Sequence, residues 1–180
     1  MRATSSVLNL RVQNLNEIPV VEKRLYFAYG SNLQRCQMLS RCPEYQLKGT
    51  AVLANYRVVC NKKGSDGVEF YAGIIPSLGD DVLGALYQLT PTDLSNLDRR
   101  EGFNGKGMHY TRNGEVFWVK NRKTGENVNA FTYTVASPVA PKKPTPEYAQ
   151  IILEGCRDHD FPEEYTKNLR RWFLMEPETA

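Results

Sequence analysis

The segment at residues 26–33, YFAYGSNL, has residue types and spacing that suit a binding site. An apolar, aromatic run typical of a buried strand stops abruptly at Gly30, Ser31 and Asn32. A plain turn would use the conformational freedom of glycine and a Ser or Asn cap for the next helix. A binding loop would use the backbone N–H groups to hold a carbonyl oxygen or a carboxylate. The pattern alone favours the turn, and both interpretations remain open.

Glu101 is the second candidate, because it occupies a core-facing position of a predicted helix. Leu94 and Leu97 mark the buried side of this helix, and Glu101 continues the stripe. Burial and the helix dipole are both expected to raise its pKa toward the range of a general base. The alternative is a terminal glutamate that turns to solvent or pairs with Arg99 or Arg100. The other charged residues of this helix are expected to face solvent: Asp93, Asp98, Arg99 and Arg100.

The elements that must position these residues are strands with a few helices between them. Strands are predicted at residues 24–29, 49–60, 68–76, 82–89, 115–119 and 129–135. Helices are predicted at residues 31–40, from Pro91 after a Thr90 cap to Gly102, from Pro146 after a Thr145 cap, and from near Pro162. This order predicts an α+β fold built on a curved or closed sheet.

Length and composition indicate one ordinary globular domain. The chain has 180 residues, of which 41% are hydrophobic and 24% charged, and this argues against global disorder. A net charge of +3 is too small to predict a nucleic-acid or membrane-surface partner, and no apolar run approaches the roughly 20 residues that span a bilayer. We predict a single domain over residues 25–175 after a flexible extension over residues 1–24, with an organelle-targeting role of the extension as the alternative.

The cysteines give no indication of a metal site. Cys36, Cys42, Cys60 and Cys156 match no zinc-ligand spacing, and the chain has only two histidines. A chain of this size does not depend on disulfide bonds, so buried or half-buried free thiols in a reducing compartment are expected. The sequence therefore predicts a cytoplasmic protein without a metal ion.

Three motifs that occur in order link the two candidates. They are YFAYGSNL at residues 26–33, LDRREG at residues 97–102 and PTPEYAQIILEGCRDHDFPEEY at residues 144–165. Together they resemble the γ-glutamylcyclotransferases. The stretch at residues 73–103 also looks like that family, in which a β-hairpin leads into the catalytic helix. The resemblance covers about residues 25–170 and leaves the N-terminal extension unmatched.

The resemblance implies a small mixed β-barrel with flanking helices, no cofactor, a possible homodimer, and a cavity between the YGSNL loop and the glutamate. Glu101 takes the catalytic position of the family. The substrate-binding residues that the resemblance implies are Tyr26, Phe27, Ala28, Tyr29, Gly30, Ser31, Asn32, Tyr110 and Tyr148. Asn32 is expected to brace the loop rather than to contact substrate. Tyr148, which the helix pattern alone would assign to the core, is expected to line the pocket.

The reaction that the resemblance implies is the cyclisation of γ-glutamyl amino acids or dipeptides. This reaction releases 5-oxoproline and a free amino acid, with Glu101 as general acid and base. Alternative substrates for the same chemistry are γ-glutamylamines, isopeptides and γ-glutamylated thiol metabolites. A catalytically silent barrel that binds a ligand is the alternative from another class of protein.

Overall fold

The computed structural model describes residues 24–103, 110–112 and 117–174, and it has the predicted α+β class. The helices are α1 (Arg35–Arg41), α2 (Pro91–Glu101), α3 (Pro146–Asp158) and α4 (Glu163–Leu174). The strands are β1 (Arg24–Ala28), β2 (Gln46–Lys63), β3 (Phe70–Leu89), β4 (Tyr110–Thr111), β5 (Phe117–Asn121), β6 (Asn127–Ala130) and β7 (Thr134–Val135). The main sheet has the order β1-β3-β2-β5-β6, and β4 pairs with β7. The predicted extension lies outside the described residues, except for Arg24, which begins β1.

β2 and β3 form a long antiparallel hairpin that makes up most of the main sheet. The two strands predicted at residues 68–76 and 82–89 are halves of one strand, because both halves pair with β2. A register shift accommodates the turn-forming residues between them. At this shift Asn55 has a positive φ of 62°, and its side-chain oxygen accepts a hydrogen bond of 3.1 Å from the N–H of Gly79.

The sheet curls until its edges approach each other, but in the described part of the chain it does not close into a barrel. β1 lies at one edge and β6 at the other. Just beyond β6, the chain returns to β1 through a single parallel bridge between Tyr26 and Phe131. Backbone hydrogen bonds of 2.8 and 3.0 Å join Phe131 to Phe27 and Leu25. The expected barrel is therefore an open, strongly curled sheet.

The same contact divides the strand predicted at residues 129–135 into β6 and β7. Phe131 leaves the main sheet to bond with β1, and the hydroxyl of Thr132 donates a hydrogen bond of 2.6 Å to Phe27 O. The following residues then enter the second, two-stranded sheet. A long-range contact with β1 thus interrupts a segment that is locally suited to one strand.

The helix predicted at residues 31–40 is divided at Gln34. Residues Ser31–Leu33 form one turn of 3₁₀ helix, and α1 begins only after Gln34, which is extended with φ −66° and ψ 119°. The side chains of the loop and those of α1 are therefore not on one continuous helical face. The break at Gln34 allows the axis of the 3₁₀ turn to differ from the axis of α1.

α2 has the caps that the sequence predicts. Thr90 Oγ1 accepts a hydrogen bond of 3.1 Å from the N–H of Asp93, and Gly102 ends the helix in the left-handed region with φ 69°. Asp93 was expected to face solvent, but it is buried, and its Oδ1 accepts a hydrogen bond of 3.3 Å from Glu44 N. The two caps make Glu101 the last residue of the helix.

α3 packs directly on the 3₁₀ turn, and the closeness of this contact requires a glycine. A Cβ atom on Gly155 would lie 2.3 Å from Leu33 Cβ and 2.6 Å from Gln34 N. On the same side, His159 Nε2 lies 2.9 Å from Leu33 O. α3 itself begins as predicted, with Thr145 Oγ1 accepting a hydrogen bond of 3.3 Å from the backbone of the first turn. A well-formed helix therefore supports the loop from behind.

The four cysteines lie in the described residues and form no disulfide bonds. Cys42, Cys60 and Cys156 are buried, as expected of structural thiols. Cys36 is exposed, contrary to the expectation, because it lies on the outer face of α1. No helix in the described part of the chain has both the length and the apolar character to cross a membrane.

Candidate active site

Glu101 ends α2 with its carboxylate turned inward, and its side chain is 14% exposed. Asn32 Nδ2 donates a hydrogen bond of 3.1 Å to Oε1, and Arg41 Nη1 lies 3.6 Å from the same oxygen. Among the described residues, the carboxylate thus pairs with a cation of α1 and not with Arg99 or Arg100 of its own helix. The carboxylate is held between the loop and α1.

Burial raises the pKa of Glu101, because loss of hydration disfavours the charged carboxylate. The Arg41 guanidinium, the hydrogen bond from Asn32 and the Lys62 ammonium act in the opposite direction and limit the rise. A carboxylate with a raised pKa can accept a proton and return it near neutral pH. Burial and the three opposing interactions thus set the pKa of Glu101 above the ordinary value of a glutamate.

Arg41→Met is expected to raise the pKa of Glu101 further, because it removes the nearest cation. If the charged carboxylate is the active form, activity is lost as pH falls through this pKa. The acidic limb of the kcat/KM profile should then move to higher pH. The measurement is kcat/KM against pH, with Arg99→Met as a control that removes an exposed cation from α2. If the acidic limb does not move in Arg41→Met, Arg41 does not lower the pKa of Glu101 in the active enzyme.

Asn32 links three side chains around the carboxylate. Its Nδ2 donates to Tyr26 Oη at 2.9 Å as well as to Glu101, and its Oδ1 accepts a hydrogen bond of 2.5 Å from Arg41 Nη1. The residue is only 4% exposed. These bonds fix the orientation of its amide group, so the position of Glu101 depends on the position of the loop.

Several backbone N–H groups of the loop are free to bind an oxygen atom. In the described part of the chain, those of Gly30, Ser31 and Asn32 donate to no protein acceptor. The next two, from Leu33 and Gln34, bond back to the carbonyl groups of the turn at 2.9 and 3.2 Å. Because the three residues line the inner hollow together with Glu101, their N–H groups are candidates to bind an oxygen atom of a ligand.

Phe27 and Ala28 are buried in the core and do not line the cavity, although the resemblance includes them in the binding segment. The ring of Phe27 packs so closely on Gly84 that a Cβ atom there would lie 2.4 Å from it. Both residues support the loop from within the sheet. Their contact with substrate stays a prediction, and packing is the role that the geometry gives them.

Three tyrosines of the predicted site surround the cavity with their hydroxyl groups held by the backbone. Tyr29 Oη donates a hydrogen bond of 2.6 Å to Tyr133 O. Tyr110 Oη donates to Ala72 O at 2.8 Å, and Tyr148 Oη accepts from Ala72 N at 3.2 Å. Burial raises the pKa of all three phenols, so they stay protonated at neutral pH. They can orient a ligand by hydrogen bonds but are not suited to be bases.

Glu101 lies where a small inner hollow of about 40 Å³ meets an outer cleft of about 470 Å³. The residues that line both are Ser31, Glu101, Tyr110 and Tyr148. The predicted residues that line only the inner hollow are Tyr26, Tyr29, Gly30 and Asn32. The structure therefore gathers the carboxylate, the loop and the tyrosines around one cavity.

Sequence reasoning missed Arg41 and Lys62 in the cleft and Tyr133 in the inner hollow. It also expected Asp98 to face solvent. Instead, Asp98 accepts hydrogen bonds from Tyr133 Oη at 2.6 Å and from Arg112 at 2.7 and 2.6 Å. Asp98 lies three residues before Glu101, so the two side chains are neighbours on the surface of α2. This spacing is the one local signal that could have indicated that Asp98 lies near the site rather than in solvent. Arg41 and Lys62 carry no comparable signal, because long-range packing brings them to the site.

The curled α+β domain thus places a buried carboxylate and the residues of the loop around one small hollow that opens into a larger cleft. The family described as Gamma-glutamyl cyclotransferase, AIG2-like, matches residues 26–155, which is most of the chain. The chain therefore belongs to this family.

Individual relatives agree with the family assignment. The chain is 29% identical to "Gamma-glutamylcyclotransferase" of Bos taurus over 152 residues, which cover 82% of this chain and 78% of the relative. It is also 29% identical to the protein of that name from Homo sapiens over 157 residues, covering 84% and 80%. A solved structure of a "Gamma-glutamyl cyclotransferase" superposes with a TM-score of 0.75 at 26% identity, covering 88% of this chain and 91% of that one. These findings identify the chain as an enzyme of the γ-glutamylcyclotransferase type.

Proposed function

We propose that this enzyme cyclises γ-glutamyl amino acids or dipeptides to 5-oxoproline and a free amino acid, with Glu101 as the general acid and base. The observation that carries the proposal is the placement of a buried carboxylate beside a loop with unpaired N–H groups. One base and a group of donors are what this reaction requires, because the substrate contains its own nucleophile.

The reaction begins with the α-ammonium group of the glutamyl unit, which is protonated and unreactive at neutral pH. Glu101 accepts a proton from this group, and the resulting amine nitrogen attacks the γ-carbonyl carbon and closes a five-membered ring. The electron pair of the carbonyl bond moves to its oxygen, which the loop N–H groups stabilise. Glu101 then returns the proton to the departing nitrogen, and the electron pair on the oxygen re-forms the carbonyl bond as the carbon–nitrogen bond breaks. The ring nitrogen gives up its second proton to the departing amine, so that the products are the neutral lactam 5-oxoproline and a protonated amino acid.

Much of the rate enhancement should come from holding the glutamyl chain in a folded conformation. The nucleophile and the carbonyl belong to the same molecule, so a bound conformer that brings them together avoids the entropic cost of an encounter. The protonated phenols around the cavity can fix this conformer by hydrogen bonds. No cofactor takes part in the proposed steps.

The test is a panel of γ-glutamyl compounds scored for the release of 5-oxoproline. The panel contains γ-glutamyl amino acids, a γ-glutamylamine, an isopeptide and γ-glutamylated thiols, including intact glutathione. Release from the amino-acid compounds supports the proposed substrate class, and release only from another group would assign the substrate to that group. Binding without 5-oxoproline from any compound would instead indicate a ligand-binding protein.

The homodimer and the cytosolic location stay predictions. Small-angle scattering of the purified chain tests the dimer, because a dimer doubles the scattering mass. Fractionation of cells that express the full chain tests the location.

A further inference from the structure

Lys62 brings a positive charge to the wall of the outer cleft but does not line the inner hollow. Its Nζ lies 4.5 Å from the ring centre of Tyr71 and 5.9 Å from that of Tyr110. It forms no salt bridge with the described residues, although Glu101 and two other carboxylates act on it at longer range. A half-buried ammonium group without a direct counter-ion is available to a carboxylate of a ligand.

The other two cations that line the outer cleft in the described residues, Arg41 and Arg100, are less suited to this role. Arg41 is already engaged by Asn32 and Glu101. Arg100 is exposed, so solvent and salt screen an ion pair with it. Among the described residues, Lys62 is the cation of the cleft that is partly shielded from water and has no salt bridge to a carboxylate, and its ammonium group contacts only aromatic rings.

We propose that Lys62 determines specificity by binding a carboxylate on the departing amine of the substrate. This inference rests on the proposed function, in which the loop holds the glutamyl part and Glu101 protonates the departing nitrogen. Lys62 and Glu101 line the same cleft, and Lys62 lies only in its outer part. A carboxylate next to the departing nitrogen can therefore approach Lys62, whereas a neutral departing amine has no group to pair with it.

The experiment compares γ-glutamyl-alanine with γ-glutamyl-alaninamide, which has a neutral amide in place of the departing carboxylate. The wild-type enzyme is expected to prefer the carboxylate compound by about tenfold in kcat/KM, chiefly through KM. Lys62→Met should lower the ratio of kcat/KM between γ-glutamyl-alanine and the amide compound by about the same factor, so that the preference disappears. Lys62→Arg, which retains the charge, should keep most of the preference.

Lys63→Met is the matched control, because Lys63 is the adjacent residue of β2, is exposed and does not line the cleft. It removes the same charge and should leave the preference unchanged. The comparison of two compounds also separates recognition from an effect on Glu101, whose pKa Lys62 helps to lower. A change in Glu101 alone alters the rates of both compounds by the same factor and leaves their ratio unchanged.

The possible outcomes distinguish this inference from the function on which it rests. A preference that disappears in Lys62→Met and persists in Lys63→Met supports the inference. Equal kcat/KM for the two compounds in the wild type, or an unchanged ratio in Lys62→Met, overturns it while 5-oxoproline release still upholds the proposed function. Absence of 5-oxoproline from both compounds and from the whole panel overturns the proposed function itself.

Discussion

Glu101→Gln is expected to lower kcat for 5-oxoproline release by about 10³-fold while the fold is retained. The amide has nearly the shape of the carboxylate and can still accept the hydrogen bond from Asn32 Nδ2. It cannot accept the proton of the substrate ammonium group, and no other carboxylate lines the inner hollow among the described residues. Single-turnover assays of the variant measure the loss directly.

Thermal unfolding and a surface variant provide the controls for Glu101→Gln. The midpoint of unfolding should stay within about 3 °C of the wild type, because the substitution removes a partly desolvated charge and little packing. Glu163→Gln makes the same chemical change at an exposed site of α4 and should leave turnover unaffected. Near-parental turnover in Glu101→Gln would exclude Glu101 as the acid–base group.

Gly155→Ala is expected to decrease the free energy of unfolding by about 1–3 kcal/mol and to impair catalysis. In an ordinary helix this substitution stabilises by roughly 0.5–1 kcal/mol, because glycine loses more conformational freedom than alanine. Here the new methyl group would lie 2.3 Å from Leu33 Cβ and 2.6 Å from Gln34 N, so α3 and the loop must separate. The sign of the effect therefore distinguishes close packing from helix propensity.

The catalytic effect of Gly155→Ala follows from the bond between Asn32 and Glu101. A shift of the loop moves Asn32, which holds both the Glu101 carboxylate and Arg41. We expect kcat/KM to fall by at least about tenfold even at temperatures where the variant is fully folded. Denaturant unfolding and steady-state kinetics measure the two effects separately. A variant that is more stable than the wild type and equally active would show that the loop does not depend on this contact.

The ends of α2 could be predicted from the sequence because local chemistry determines them. A Thr90 cap, a proline in the first turn and Gly102 in the left-handed conformation act within a few residues. The strands were harder to predict. The turn-forming residues inside β3 predicted two separate strands. Both halves nevertheless pair with β2, and this pairing between distant residues cannot be predicted from the local sequence. Phe131 likewise bonds to a strand about a hundred residues earlier in the chain.

In the site, too, the residue marked by a local pattern could be predicted, and the residues brought in by long-range packing could not. The hydrophobic stripe of its own helix made Glu101 a candidate but left a solvent-facing glutamate open, and the resemblance gave it the catalytic position. Arg41, Lys62 and Tyr133 lie on three other elements or connections, and only the curl of the sheet and the packing of α1 bring them to the cavity. Their residue types gave no reason to separate them from the many other charged and aromatic residues of the chain.

The length of the β2–β3 hairpin has a consequence for protein engineering. Its inner half pairs with β1 and is part of the core, whereas its tip, residues 62–71, carries Lys62 and Tyr71 at the cleft wall. The next residue, Ala72, bonds through its backbone to Tyr110 and Tyr148. With Lys62 in its proposed role, a graft that replaces the exposed part of the tip, keeps the buried Phe70 and ends before Ala72 should change which departing amines are accepted, while Glu101 and the loop keep their positions. Selectivity for the departing amine could then be transferred between related enzymes by exchanging this short hairpin tip.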